Sequence, residues 1–155
     1  MENVLAHLIV EDRQTWKTLI FALGDASRRY FEEGLSSSPG VMSSVIATIN
    51  SRRNIKVMFL SKLQYLYMFL NKFESARDEM EFNRLVIFGL DEILGYPIEE
   101  GLDSSQLRLA HLIFSVACRV EQTKSIEIQF VPSLPSSCEE LDVLEQYWRE
   151  LSSER

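Results

Sequence analysis

The stretch that decides the fold runs from Ile55 to Phe73 and reads IKVMFLSKLQYLYMFLNKF. Thirteen of its nineteen residues are apolar, which is too many for the single apolar stripe of a surface helix. A helix that is apolar on nearly all sides must be surrounded by other helices. We therefore predict an all-α fold, a compact bundle of six or seven helices around a central apolar helix at residues 55–73.

The segments on either side of this central helix also show helical spacing of apolar residues. Upstream, a helix is predicted to run through Trp16 and to end at a glycine. Downstream, another helix is predicted to begin near Ala76. Asp103 is placed to cap the helix that follows it. Ser137 and Glu140 form a candidate capping box for a last helix.

One segment departs from the helical pattern. Residues 126–131 begin with IEIQF, in which apolar and polar residues alternate, as is typical of a half-buried extended strand. Because one strand alone cannot make a sheet, this segment either lies across the bundle or pairs with another chain. We favour the first alternative.

The length and composition fit one soluble domain. The chain has 155 residues, of which 46% are apolar and 25% charged, so residues 1–155 are predicted to form a single helical domain. There are only two cysteines, no basic leader at the N-terminus, and no apolar run free of charges that would span a membrane. These features predict an intracellular protein, cytoplasmic or nuclear, without a membrane span.

Charge is distributed unevenly along the chain. Residues 1–77 carry ten Lys/Arg and seven Asp/Glu, whereas residues 78–155 carry six and sixteen. No acidic residue occurs between Glu33 and Glu74, where five basic residues fall. This gap is either a basic surface for an acidic partner or a phosphate backbone, or a buried helix with basic residues at its rim. We favour the buried helix, since a net charge of −7 opposes nucleic-acid binding as the main role.

The residues that could carry chemistry are scattered. The two histidines, His7 and His111, are far apart in sequence, and no Cys-x-x-Cys or phosphate-loop motif occurs. His111 and Cys118 share a helix face but are separated by about 10.5 Å along the axis, too far for a nucleophile and its base. Cys118 is interpreted as a small core residue. We therefore predict that the chain is not an enzyme and holds no cofactor or metal.

Aromatic and arginine side chains are the best candidates for binding a partner, because both are enriched as anchors of protein interfaces. For the two tryptophans, filling the core is an equally good interpretation. The predicted function is a non-catalytic protein–protein interaction module, an adaptor or scaffold subunit of a larger assembly, whose partner is another protein or a second copy in a homodimer. The candidate partner-binding residues are Trp16, Arg28, Arg29, Tyr30, Arg52, Arg53, Tyr147 and Trp148.

Two other functions are compatible with the sequence. A short segment resembles the death-motif helix of the B-cell-lymphoma family of apoptosis regulators; it comprises Trp16, Ile20, Leu23, Gly24, Asp25 and Arg28-Arg29-Tyr30. The resemblance implies an all-α fold that binds amphipathic helices in a groove. The chain departs from the family's second motif, Asn-Trp-Gly-Arg, and reads Asn50-Ser51-Arg52-Arg53 there. The other alternative is a nucleic-acid-binding protein that uses the basic stretch 52–72.

Overall fold

The computed structural model describes residues 1, 4–5, 16–33, 53–76, 81–95, 101–133 and 139–153. Within these residues the chain alternates strands with helices, so the predicted all-α bundle of six or seven helices is wrong. The elements are β1 (Thr18–Leu23), α1 (Gly24–Glu32), β2 (Ile55–Leu60), α2 (Leu63–Ser75), β3 (Arg84–Phe88), α3 (Leu90–Ile93), α4 (Ser104–Lys124), β4 (Glu127–Val131) and α5 (Glu139–Ser153).

The four strands form one parallel sheet in the order β2-β1-β3-β4. The register places Thr18 of β1 beside Ile55 of β2 and Arg84 of β3, and Arg84 beside Glu127 of β4. A larger core lies between the sheet and α2, α4 and α5, whereas a smaller core on the opposite face includes side chains of α1. The fold is therefore a three-layer α/β arrangement.

The predicted central helix at 55–73 is in fact a strand followed by a helix. Strand β2 ends at Leu60, and α2 begins at Leu63 after an extended Lys62. Five of the six residues of β2 are apolar although three of the six are exposed, so β2 continues the apolar run of α2 in the sequence. Periodicity alone cannot distinguish such a run from a buried helix, which is the physical reason for the error.

The residues of strands β1 and β3 were predicted to lie in two other helices for the same reason. All residues of both strands are buried, including Thr18 and Arg84, so neither strand shows a two-residue alternation. Because β1 ends at Leu23 and α1 begins at Gly24, Ile20 and Leu23 do not share a helix face. The fold implied by the resemblance to the apoptosis regulators is thus contradicted.

Several local predictions are confirmed. The carboxylate of Asp103 accepts hydrogen bonds from the amides of Ser105 and Gln106 at 2.6 and 2.8 Å, and the Gln106 side chain accepts from the Asp103 amide. The extended segment at 126–131 is β4, although it pairs with β3 instead of lying across a bundle. The last helix is α5; Ser137 of its predicted capping box lies outside the described residues, and Glu140 accepts a hydrogen bond from the Leu102 amide. No described helix is long and apolar enough to cross a membrane.

Candidate functional site

The connections of the sheet identify one place where a ligand would be expected. From β1 the chain goes through α1 to β2 on one side, and β3 and β4 lie on the other side. In open parallel sheets, ligands bind beyond the carboxyl ends of the strands where the connections change direction, here between β1 and β3. Each of these strands is followed directly by a glycine with positive φ, Gly24 (79°) and Gly89 (88°).

The N-terminus of α1, which faces this position, is occupied by a carboxylate of the chain itself. Glu92 of α3 accepts hydrogen bonds from the amides of Asp25 and Ala26, each at 3.0 Å. A Cβ atom on Gly24 would lie 2.7 Å from the Glu92 carboxyl carbon, so only glycine permits this approach. Amides at a helix N-terminus are the groups that bind phosphate in nucleotide-binding folds. An incoming phosphate would therefore have to displace Glu92.

The other polar groups at this edge also bond to each other. The Ser27 hydroxyl donates to the carbonyl of Phe88, at 3.3 Å, and a Cβ atom on Gly89 would clash with that hydroxyl at 2.2 Å. Buried Asp91 accepts hydrogen bonds from the amide and the hydroxyl of Ser133 at 2.9 and 3.0 Å. Among the described residues, no group of three His, Cys, Asp or Glu side chains is arranged to hold a metal ion.

The predicted partner-binding residue Trp16 lies at the opposite, amino end of the sheet. The guanidinium of Arg84 stacks on its ring at 4.7 Å and bonds to the carboxylate of Glu127 at 2.9 Å. Trp16 is half-buried and Arg84 is buried. Both side chains therefore help to hold the strands of the sheet together at this end. Arg84 is a structural arginine that was not among the predicted site residues.

Of the basic and aromatic candidates of α1, Arg28 lies against β2. Arg28 is exposed, pairs with Glu32 at 3.3 Å, and stacks on the ring of Phe59 at 5.3 Å. Arg29 is exposed in the last turn of the helix. Tyr30 is half-buried and packs edge to face against Phe88, with ring centroids 5.5 Å apart.

The two remaining arginine candidates come shortly before β2 in the sequence. Arg53 is exposed two residues before the strand begins, and Arg52 lies outside the described residues. Arg53 and Arg28 thus both lie next to β2.

Tyr147 and Trp148 come together with His111 between α4 and α5. The Trp148 Nε1 donates a hydrogen bond to His111 Nδ1 at 3.1 Å, and Tyr147 packs edge to face against both rings. Trp148 is half-buried, whereas Tyr147 is 51% exposed. Cys118 is buried, as predicted. Burial raises the pKa of its thiol, so it is poorly suited to nucleophilic chemistry.

The outer edge of β4 is covered by two side chains from the helices. The amide of Ile128 donates to the Glu121 carboxylate at 2.8 Å, and the Ile128 carbonyl accepts from the Arg149 guanidinium at 2.9 Å. Burial raises the pKa of Glu121, and the bond from Ile128 and the charge of Arg149 oppose that shift. We call this arrangement of Glu121, Arg149 and Ile128 the braced edge.

The outer edge of β2 is different. Among the described residues β2 pairs only with β1, and side chains on both of its faces reach solvent. Val57 and Phe59 are 37% and 40% exposed on the face toward α1. On the other face, a groove of about 450 Å³ is lined by Met58, Phe82 and side chains of α2. We call this edge of β2, with its exposed side chains, the open edge.

Two comparisons relate this chain to known proteins. A model of the family described as "SHU1: Suppressor of HU sensitivity involved in recombination protein 1" matches residues 2–153. The chain is also similar to a Saccharomyces cerevisiae protein named Suppressor of HU sensitivity involved in recombination protein 1, with 26% identity over 126 residues. That alignment covers 81% of this chain and 79% of the relative. The family match includes every described strand and helix from β1 to α5.

Proposed function

The chain belongs to the SHU1 family, whose description is suppressor of HU sensitivity involved in recombination, and from that premise we propose a specific role. The protein is a non-catalytic subunit that binds other proteins in an assembly acting in recombination. Its site of action is the nucleus, where recombination takes place in a eukaryotic cell. The name of the yeast relative supports the link to recombination.

The observation that carries the non-catalytic part of this proposal is the position of Glu92. Its carboxylate bonds to two amides of the α1 N-terminus, at the position where a parallel α/β sheet would hold a phosphate. A carboxylate there satisfies the amides and repels a second anion. Hydrogen bonds to a charged group contribute about 1.5–3 kcal/mol each, so displacing Glu92 is costly. The arrangement supports a nucleotide-independent scaffold.

The exposed apolar side chains support the interaction part. One group of them lies on β2 and α2 and comprises Val57, Phe59, Tyr65 and Met68. Exposed apolar patches mark protein interaction sites in soluble proteins, and this group is the proposed one.

The proposal is tested with the full chain in its own organism. Deleting the gene should lower the frequency of recombination between two mutant alleles of a marker, and the wild-type gene should restore it. The tagged chain, expressed at its natural level, should co-purify with at least one protein in a fixed ratio. Purified protein should not bind a fluorescent ATP or GTP analogue at millimolar concentration.

Each part of the proposal has its own contradicting result. Unchanged recombination after deletion overturns the role in recombination. Purification of the chain alone overturns the interaction role. Binding of the ATP analogue at micromolar concentration, with release of phosphate from ATP itself, overturns the non-catalytic role.

A further inference from the structure

We propose that the open edge of β2 docks a β-strand of a partner protein and that this strand carries acidic side chains. The inference rests on the proposed function, because it identifies the surface through which the chain would bind another subunit. Adding a strand to an exposed sheet edge is an established mode of recognition, in which backbone hydrogen bonds give affinity and side-chain contacts give specificity.

The outer backbone edge of β2 is not paired with any described strand. In an edge strand, alternate N–H and C=O groups point away from the sheet and need a partner. At β4 the outward groups of Ile128 are satisfied by Glu121 and Arg149. Among the described residues, no side chain forms a hydrogen bond to the backbone of Ile55–Leu60. Within the described residues, side chains therefore satisfy part of the β4 edge, whereas the β2 edge has no such bonds.

The open edge is largely apolar. Three of its side chains, Val57, Met58 and Phe59, reach solvent or the groove on alternating faces. Natural proteins protect exposed edge strands with charges, prolines or bulges, because an apolar edge pairs readily with another chain. Strand β2 has a single charged residue, Lys56, among its six. Such an edge is expected to be covered in the functional assembly.

The charges around the open edge select the partner. Arg53, Lys62 and Lys72 are exposed near β2 and its groove, and none of them forms an ion pair within the described residues. The acidic residue at the groove is Glu81, and it is already paired with Lys56 at 3.0 Å and with Lys17 at 3.5 Å. An incoming strand with acidic side chains would neutralise the unpaired charges.

The same charges argue against two other occupants. A second copy of this chain, docked through its own β2, would bring identical basic side chains together and would be repelled. A nucleic acid would pair with the basic side chains, but it would leave the apolar side chains and the backbone groups of the edge without partners. An acidic strand of a different protein would satisfy the basic side chains, the apolar side chains and the backbone groups of the edge at once.

The first experiment maps the contact. The photo-reactive amino acid p-benzoylphenylalanine replaces Phe59 in the tagged full-length chain in the source cell, and it replaces exposed Tyr147 in the control. Irradiation should attach position 59 to one protein, and mass spectrometry should locate the attachment in a segment of alternating apolar and acidic residues. The yield from position 59 to that segment should exceed the yield from position 147 at least fivefold.

The second experiment tests the surface with matched variants. Val57→Lys places a charge on the open edge, and Val143→Lys places the same charge on α5, where valine is 67% exposed. Val57→Lys should lower the amount of the mapped protein that co-purifies at least fivefold, and Val143→Lys less than twofold. Lys62→Glu should also weaken capture, and changing a mapped acidic residue of the partner to lysine should restore it. Circular dichroism of each variant checks that the chain is folded.

The outcomes separate this inference from the proposed function. If the wild-type chain co-purifies with no protein, the proposed function fails. If a protein co-purifies equally with wild type and Val57→Lys, and attaches only to position 147, the open edge is not the docking site while the function stands. Attachment of position 59 to DNA or RNA, or to a second copy of this chain, overturns the inference in favour of that occupant.

Discussion

The two outer strands of the sheet have similar lengths and the same direction but opposite surroundings. At β4, two long helices supply a carboxylate and a guanidinium that satisfy the outward backbone groups of Ile128. At β2, apolar side chains are exposed on the strand itself, and the described helices leave the backbone edge uncovered. Within the described residues, side chains complete part of one outer edge of the sheet and make no such bonds at the other, which is the edge proposed to dock a partner.

The helices α4 and α5 explain how the braced edge is built. Glu121 projects from α4 and Arg149 from α5, and the two helices pack against each other over the larger core. Arg149 also pairs with Glu145 at 2.8 Å one turn earlier on its own helix, which orients its side chain toward β4. The brace therefore depends on both helices being in place.

The largest expected difference is in hydrogen exchange of the backbone amides. In the isolated chain the amide of Ile128 should exchange on the order of 100-fold more slowly than the outward-pointing amides of β2, because it bonds to a half-buried carboxylate. Exchange followed by NMR measures both edges in one sample, with the central strand β1 as the slow reference. Equal rates at the two edges would mean that the brace does not protect β4.

The next largest effect is on stability. Glu121→Ala leaves the buried Ile128 amide without an acceptor and should lower the free energy of unfolding by about 1–3 kcal/mol. Glu121→Gln keeps an oxygen at that position and should cost less than half as much. Urea denaturation measures both variants. A loss from Glu121→Gln as large as that from Glu121→Ala would show that the charge, not the hydrogen bond, is the essential feature.

A smaller effect should appear in the pH dependence of stability. Burial raises the pKa of Glu121 in the folded chain above its ordinary value of 4.5. The folded state therefore takes up a proton at a higher pH than the unfolded state does, so this group favours folding more as the pH falls toward 4.5. The unfolding free energy of wild type should rise relative to Glu121→Gln between pH 7 and pH 4.5. A parallel pH dependence of the two proteins would contradict the shift.

The smallest effect concerns the open edge in the isolated chain. Val57→Lys should change the free energy of unfolding by no more than about 0.5 kcal/mol, because the side chain it replaces is already partly in water. Val143→Lys provides the matched value for an exposed helix position. A loss of several kcal/mol from Val57→Lys alone would indicate that this side chain is part of the folded core, and would remove the contrast between the edges.

The sequence predicted α4 and β4 correctly and the strands β1, β2 and β3 wrongly. The capped helix α4 has an unambiguous N-cap at Asp103, and β4 keeps an alternation of apolar and polar residues in the sequence. The inner strands β1 and β3 are buried on both faces, and burial on both faces removes the alternation that identifies a strand. What a single sequence lacks is the information that several short apolar runs lie side by side.

A signal for these strands was nevertheless present. Both inner strands are apolar runs followed directly by glycine and soon by an acidic residue, in Leu23-Gly24-Asp25 and in Phe88-Gly89-Leu90-Asp91. A glycine between an apolar run and a helix start is typical of the turn that ends a parallel strand. The pattern would also have pointed to the position of Glu92, because it marks the carboxyl edge of the sheet.

The candidate binding residues were predicted by type but not by location. Arginines and aromatics were chosen as interface anchors, yet the structure distributes them over the amino end of the sheet, α1, the start of β2 and the pair α4–α5. Trp16 is stacked under Arg84, whereas Tyr147 remains exposed. Residue type cannot distinguish these cases, because exposure depends on which strands are neighbours.

The carboxylate of Glu92 at the start of α1 has a consequence for how the protein behaves in a cell. A fold whose helix terminus is completed by a small metabolite gains stability only while that metabolite is abundant. Here the group that completes the helix terminus is the Glu92 carboxylate, which is part of the polypeptide and is therefore present in every copy of the chain. The folded fraction of the free chain should accordingly stay constant when nucleotide pools fall.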